Sequence, residues 1–307
     1  VNVLDGPLAG WVPQPPPSIL TIGVFDGVHL GHRVVLDRLR AAGATATVLT
    51  FDPHPAEVLS PGVDPRLITT IGERITLFEK TGVETVGVLD LSEIRHMEPE
   101  QFVAEVLVSR LGVAHMVIGS DFHFGKNRAG DVPFLREAGR RHDFEVEVVD
   151  LLDEGGVITS SRIRSLIEMG QVSAASALLG SRYRLSNEVI HGESRGRSLG
   201  FPTANLRPPP RKVIPGHGIY AAFAEIGGES HPAAVNVGVR PTFGGRELLV
   251  EAFLLDFDAD LYGEMMALEF VEMLRPELAF ENAAALVKRM NDDVADVRRI
   301  LNATVAR

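Results

Sequence analysis

Residues 18–42 read SILTIGVFDGVHLGHRVVLDRLRAA, and this stretch decides the fold of the first half of the chain. Ser18 to Phe25 is apolar and β-branched, the composition of a buried strand, and Asp26-Gly27 breaks it. Leu30, Val34, Val35, Leu39 and Ala42 then recur at spacings of three and four, the stripe of an amphipathic helix. The same alternation continues downstream. Strands are predicted over Thr45–Phe51, Thr85–Leu91, His115–Ser120 and Phe144–Leu152, and helices over Gly72–Thr81, Pro99–Leu111 and Val132–His142. Two short helices, Ser160–Met169 and Val172–Leu179, follow, each closed by a glycine (Gly170, Gly180). Strand and helix in alternation predict an α/β domain, a doubly wound parallel sheet with helices on both faces.

After Gly180 the texture changes. Glycine and proline become dense, and short apolar runs lie between them: Arg184–Ile190, Ile219–Ile226, Ala233–Val239, Leu248–Phe257 and Met265–Leu274. This predicts an antiparallel β-barrel or sandwich. Glu281–Leu301 carries one apolar stripe and reads as a long terminal helix. The domains expected are therefore 1–182 and 183–307.

At 307 residues two domains are also the natural expectation from length. Before Tyr183 there are 16 basic and 24 acidic residues, and from it onward 14 and 17, so neither half is basic. The net charge of −11 excludes nucleic acid and anionic membrane as default partners. Cysteine is absent, which removes disulfides, thiolate metal sites and a cysteine nucleophile. No apolar run nears the roughly 18 residues that span a bilayer. Val1–Ser18 has neither the basic start nor the apolar stretch of a signal peptide, so the cytoplasm is the expected compartment.

The first chemical signal lies where strand passes into helix. Helix N-termini present unpaired N–H groups and partial positive charge, and so bind phosphate. His29 and His32 stand three apart on one face of that first turn, and Gly31 between them removes a side chain. A cap, a solvated pair or half of a metal site would use the same histidines, but no third ligand has helical spacing to complete a metal set. Thr159-Ser160-Ser161-Arg162-Ile163-Arg164 opens a later helix, and its hydroxyls cap that helix or donate to phosphate, with Arg164 as a bidentate fork. Gly119–Asn127 follows another strand. All three loops belong on the carboxyl edge of the sheet, where such folds bind ligands. No G-x-G-x-x-G and no Walker A loop is present.

In the second half, Gly196 to Asn205 (GRSLGFPTAN) joins a glycine-rich loop to an extended segment. Thr203 and Asn205, two apart, point to one face and offer neutral oxygen ligands for Mg²⁺, while Gly196 and Gly200 have backbone N–H groups able to cradle phosphates. An ordinary turn and edge strand is the alternative. Glu251 shares an alternation face with Leu249, Phe253 and Leu255, where a carboxylate is costly unless it is paired or used. It suits a general base that deprotonates an attacking hydroxyl.

These segments, with Phe122-His123-Phe124-Gly125, Asn236–Thr242, Asp256–Gly263 and Arg275-Pro276-Glu277, fall in the order that resembles bacterial bifunctional riboflavin kinase/FAD synthetases. The resemblance spans roughly Ser18 to Leu301. It implies a Rossmann-like nucleotidyltransferase half that moves AMP from ATP to FMN, and a barrel half that phosphorylates riboflavin. It implies a nucleotide site along Ile22–His32, including Gly23, Asp26 and Gly31, with His29, His32 and Asn127 on ATP phosphates. Ser160, Ser161 and Arg164 would hold the triphosphate. Phe51, Pro53, Phe122, Phe124 and Arg275 would lie beside flavin, Thr203 and Asn205 would hold Mg²⁺, and Glu251 would deprotonate the ribityl hydroxyl. The small-molecule partners implied are riboflavin, FMN and ATP, with FAD as product. An adenylyltransferase for another metabolite, or a non-catalytic flavin- or RNA-binding regulator, are the rival readings.

Overall fold

A computed structural model describes residues 1–41, 45–60, 62–150, 158–191, 200–242 and 245–305, apart from the side chains of 240–242, 245–247 and 305. The chain divides into two compact units, Val1–Ser160 and Ser161–Arg307.

The first unit is built on a six-stranded, wholly parallel sheet. Its strands are β1 (Asn2–Leu4), β2 (Ser18–Ile22), β3 (Thr45–Phe51), β4 (Thr85–Leu89), β5 (Val113–Gly119) and β6 (Glu145–Val149), in the order β1-β4-β3-β2-β5-β6. The helices are α1 (Leu30–Ala41), α2 (Pro55–Leu59), α3 (Ile71–Lys80), α4 (Leu91–Ile94), α5 (Pro99–Phe102) and α6 (Val132–His142). Alternate strand residues feed two separate cores. Leu20, Ile22, Leu49, Met116 and Ile118 pack with Phe102, Val106 and Leu135, while Ile19, Val48, Val86 and Val117 pack with Leu36, Leu39 and Phe78. A sheet buried on both faces is what the apolar runs predict, since successive side chains point to opposite sides.

Two details escape the periodicity. Pro99–Leu111 is not one α-helix, because α5 runs into a π-helical segment, Val103–Val108. The proline-rich start of the chain is part of the sheet: β1 pairs with β4, and Trp11, 3% exposed, lies over Gly87, where a Cβ would stand 2.8 Å from its ring.

The second unit contains a closed antiparallel barrel. Its strands are β7 (Tyr183–Ile190), β8 (Ala204–Leu206), β9 (Gly218–Ile226), β10 (Glu229–Thr242), β11 (Gly245–Leu254) and β12 (Met265–Arg275), in the order β10-β11-β8-β7-β12-β9 and closed by β9 on β10. Tyr220, Ala222, Val235, Val250, Ala252 and Leu268 are fully buried and alternate with residues of the outer face. Against that outer face α9 (Ala283–Val305) lays Val297 and Leu301 on Ala221, Phe223, Ala234 and Phe253. Helices α7 (Ser160–Glu168) and α8 (Val172–Leu179) precede the barrel, and α8 packs on β7 and β12. The compact division therefore falls at α7, earlier than the change of sequence texture near residue 182.

Candidate active sites

In the first unit the chain leaves β2 in one direction through β3 and β4, and β5 and β6 lie on the other side of β2. The loops after β2 and β5 thus flank the point where strand order reverses, the place where open α/β sheets take ligands. The loop after β2 is tightly folded. Phe25 and Val28 both adopt positive φ, 53° and 41°, a strained state for a bulky and a β-branched residue. Burial of both side chains, at 5% and 1% exposure, helps hold it.

Asp26 fixes this loop. Its buried carboxylate accepts from the backbone N–H groups of Ile68 (2.9 Å) and Thr69 (3.0 Å) and from Thr69 Oγ1 (3.2 Å). Thr69 Oγ1 in turn accepts from Gly27 N–H at 2.9 Å. Asp26, expected along the nucleotide site, thus has its carboxylate committed to backbone. Ser160, the last residue of the first unit, donates from Oγ to the Asp26 carbonyl at 2.9 Å. Ser161 and Arg164 belong to the second unit, where Arg164 Nη2 donates to Ser161 Oγ at 3.0 Å.

His29 and His32 do share a face. Their rings stack at 3.5 Å between centroids and 17° between planes, and Phe25 meets His32 edge-on. His29 Nδ1 accepts from the His32 backbone N–H at 3.3 Å, which leaves the proton of the neutral ring on Nε2. Burial lowers the pKa of His29 to about 4, against an opposing pull from Asp26. His32 is held well below the ordinary imidazole range by burial, then by His29 and Arg74, and its buried Nδ1 has no hydrogen-bond partner among the described residues. At neutral pH these are two uncharged N–H groups rather than two cations. Gly31 does make room, but for His29 itself: a Cβ there would stand 3.2 Å from Nδ1. A Cβ on Gly23 would meet the Phe25 ring at 3.0 Å.

Arg74, which the sequence reading passed over, is 2% exposed beneath this loop. Its Nη1 donates to Thr50 Oγ1 (3.0 Å) and Phe51 O (3.3 Å), and Thr50 Oγ1 donates to Val24 O (3.0 Å). Burial lowers its pKa while Asp26 and Asp52 oppose the change. The missed signal was an arginine on the apolar stripe Ile71, Ile75 and Phe78 of α3.

The aromatic candidates gather on one core. Phe122 and Phe124 stack at 5.7 Å, Phe124 meets Phe102 and Phe134, and Phe51 packs against the same cluster. Phe124 is enclosed by these neighbours, whereas Phe51, Pro53 and Phe122 are half-buried. Asn127 is exposed, with φ of 54°, in the short turn Lys126–Arg128.

In the second unit, register assembles the site. Asn205 on β8 pairs with Glu251 on β11, and Glu251 with Asn236 on β10. Glu251 is half-buried and accepts from Asn236 Nδ2 at 3.3 Å. Asn205 is 3% exposed; its Nδ2 donates to Thr203 O at 3.4 Å, and its buried Oδ1 has no hydrogen-bond partner among the described residues. A lone buried carbonyl oxygen beside a carboxylate and a threonine is a donor set that fits a hard cation such as Mg²⁺. Thr203 also lines a cavity of about 430 Å³ with Pro202, Phe257, Asp258, Asp260 and Tyr262. Gly200 has φ of 86°, a turn that only glycine makes without strain. Gly196 lies outside the described residues. Arg275 has its donors taken: Nη2 and Nε bind Asp293 of α9 at 2.6 and 3.0 Å, and Nη1 binds Pro276 O. In this structure it ties β12 to α9.

A histidine pair at a sheet's switch point and a carboxylate–amide row on a barrel are arrangements suited to handling nucleotides in two domains. Residues 12–163 match the FAD synthetase family model, and residues 179–301 the riboflavin kinase model. The chain is 37% identical over 289 residues to the bifunctional riboflavin kinase/FMN adenylyltransferase of Pseudomonas fluorescens, covering 92% of each protein. It is 33% identical to the protein of that name from Escherichia coli strain K12, covering 93% of each. The chain belongs to the bifunctional riboflavin kinase/FMN adenylyltransferase family. A crystal structure from Streptococcus pneumoniae described as a macrolide-efflux protein superposes with a TM-score of 0.87 at 30% identity, covering 94% of this chain and 95% of that one. Among the described residues no helix here is long and apolar enough to cross a membrane.

Proposed function

We propose that the chain makes FAD from riboflavin in two ATP-dependent steps, the first in residues 183–307 and the second in residues 1–182. In the first, Glu251 takes the proton from the ribityl 5′-hydroxyl, whose oxygen bonds to the γ-phosphorus of ATP as the bond to ADP breaks. Thr203 and Asn205 would hold Mg²⁺, which neutralises phosphate charge when bound. The 256–262 loop encloses the nucleotide with Gly196 and Gly200. In the second step the FMN phosphate attacks the α-phosphorus of ATP and pyrophosphate leaves. His29 and His32 donate neutral N–H groups to the phosphates as charge develops. Ser160, Ser161, Arg164 and Asn127 hold the triphosphate, and Phe51, Pro53 and Phe122 face the flavin.

The observation that carries this reading is the alignment of Asn205 and Glu251 on neighbouring strands, with a buried amide oxygen that has no hydrogen-bond partner among the described residues. The test is riboflavin with ATP and Mg²⁺, the flavins being separated over time. FMN should rise and then give way to FAD. Glu251→Gln should block FMN formation while added FMN still becomes FAD, and His29→Ala with His32→Ala should stop riboflavin at FMN. A Glu251→Gln protein that phosphorylates riboflavin at the normal rate refutes the role of that carboxylate.

A further inference from the structure

The barrel carries polar residues at one register level on three adjacent strands: Asn205, Glu251 and Asn236. Directly paired residues of an antiparallel ladder point to the same side, so the three share a face. It is the outer face. Val235, Val237, Val250 and Ala252, the alternate residues, are fully buried inside the barrel. Ala234 and Phe253, two residues along from Asn236 and Glu251, instead pack beneath Val297 and Leu301 of α9. The polar trio extends the row of residues that the helix covers.

The two amides flanking the carboxylate differ. Asn205 turns its Nδ2 toward Thr203 O and leaves Oδ1 as an acceptor. Asn236 turns its Nδ2 toward Glu251 Oε2. Among the described residues, the hydrogen bond to the Glu251 side chain comes from Asn236. A carboxylate has a broad terminal torsion, so without a donor its oxygens sweep a wide arc. An amide supplies that donor without charge, and so does not neutralise the base beside it, as lysine or arginine would.

We propose that Asn236 is a positioning residue for riboflavin phosphorylation, pinning one oxygen of Glu251 so that the other meets the attacking hydroxyl. The proposal rests on Glu251 being the base. With Oε2 held by the amide, Oε1 receives the hydroxyl proton while the oxygen–γ-phosphorus bond forms and ADP departs. Misplacement of a reacting group by about 1 Å costs on the order of 100-fold in rate, which sets the scale of the effect.

The test compares full-length Asn236→Leu, which keeps the volume and loses the donor, with Asn236→Asp, which puts an acceptor in its place. Asn236→Gln, which retains an amide, is the third variant. The first two should lose roughly 10- to 100-fold in kcat for riboflavin phosphorylation, with KM for riboflavin and ATP changed less than about twofold. Asn236→Gln should recover part of the loss. FMN adenylylation by the same chains should stay at the wild-type rate, which reports that they are folded. A rise in KM at unchanged kcat, equal losses for the Gln and Leu variants, or loss of both activities in all three would overturn the proposal. If Glu251→Gln is inactive while Asn236→Leu and Asn236→Asp are normal, the base stands and Asn236 does not position it. If Glu251→Gln is itself active, the underlying reading fails instead.

Discussion

Protonation of His29 offers a direct measure of how far burial has shaped the first site. The ring is 3% exposed, its Nδ1 already accepts from the His32 backbone N–H, and its pKa is lowered from 6.5 to about 4. In the unfolded chain this imidazole gains a proton through pH 6.5; in the folded protein it does so only near pH 4. Between those values the unfolded state binds more protons, so stability falls as pH falls and is complete above 6.5. The whole interval corresponds to about 3 kcal/mol, at about 1.4 kcal/mol per tenfold in acidity, and about 2 kcal/mol of it is lost by about pH 5. His32, lowered in the same direction, adds to the loss. The assay is an imidazole ¹⁵N–¹H titration of the nucleotide-free protein, with His29 assigned by a His29→Gln variant. Its signals should stay those of the neutral Nε2–H tautomer from about pH 8 to about pH 5. Urea unfolding at the two ends of that range should cost the wild type about 2 kcal/mol more than the variant. A His29 midpoint between about 6 and 7, the Nδ1–H tautomer, or parallel pH profiles for the two proteins would refute the reasoning.

Three further outcomes follow from the packing. Asp26→Asn weakens charge-assisted bonds to Ile68 and Thr69, costing about 1.5–3 kcal/mol in the unfolding midpoint. FAD formation should slow with it while FMN formation persists. Gly87→Ala places a methyl 2.4 Å from Leu49 Cδ2 and 2.8 Å from Trp11 Cη2, for a loss of about 1–3 kcal/mol by denaturant titration, part of which Trp11→Leu should restore. Asp293→Ala strands Arg275, whose side chain is 11% exposed, together with Arg289. A thermal unfolding loss of about 3–5 kcal/mol is expected, and one below about 1 kcal/mol would class the pair with surface bridges.

The ligand proposed for the first site is anionic, in a chain of net charge −11. Arg74, beneath its loop, is buried and donates to Thr50, Phe51 and Thr69, while Arg33 Nε donates to Val28 O at 3.4 Å. On the proposed reading, helix-end N–H groups and two neutral imidazoles meet phosphate alongside Arg164, and the neutral donors cost no desolvation of a charge. This is why a global charge count excludes nucleic acid as a default partner and still misses a nucleotide site.

Closure into a barrel came from the structure; local pattern alone gave most strands and helices in order, the parallel sheet, an antiparallel barrel or sandwich, and the long final helix. Each of these is written as a period, of two or of 3.6 residues, in which side chains face the core. Motif spacing likewise placed His29 with His32, because residues one helical turn apart share a face by geometry alone. Elements too short to show a period were illegible: β1 and β8 have three residues each and exist only through β4, β7 and β11. Roles that depend on a distant partner were decided only by tertiary structure. Asp26 turns to Ile68 and Thr69, Arg275 to Asp293, and Glu251 meets Asn236 across 15 residues of sequence. A charged or amide group has the same sequence signature whether its partner is a ligand or a backbone N–H. Which one it meets depends on strand register and loop packing, and no local period encodes these.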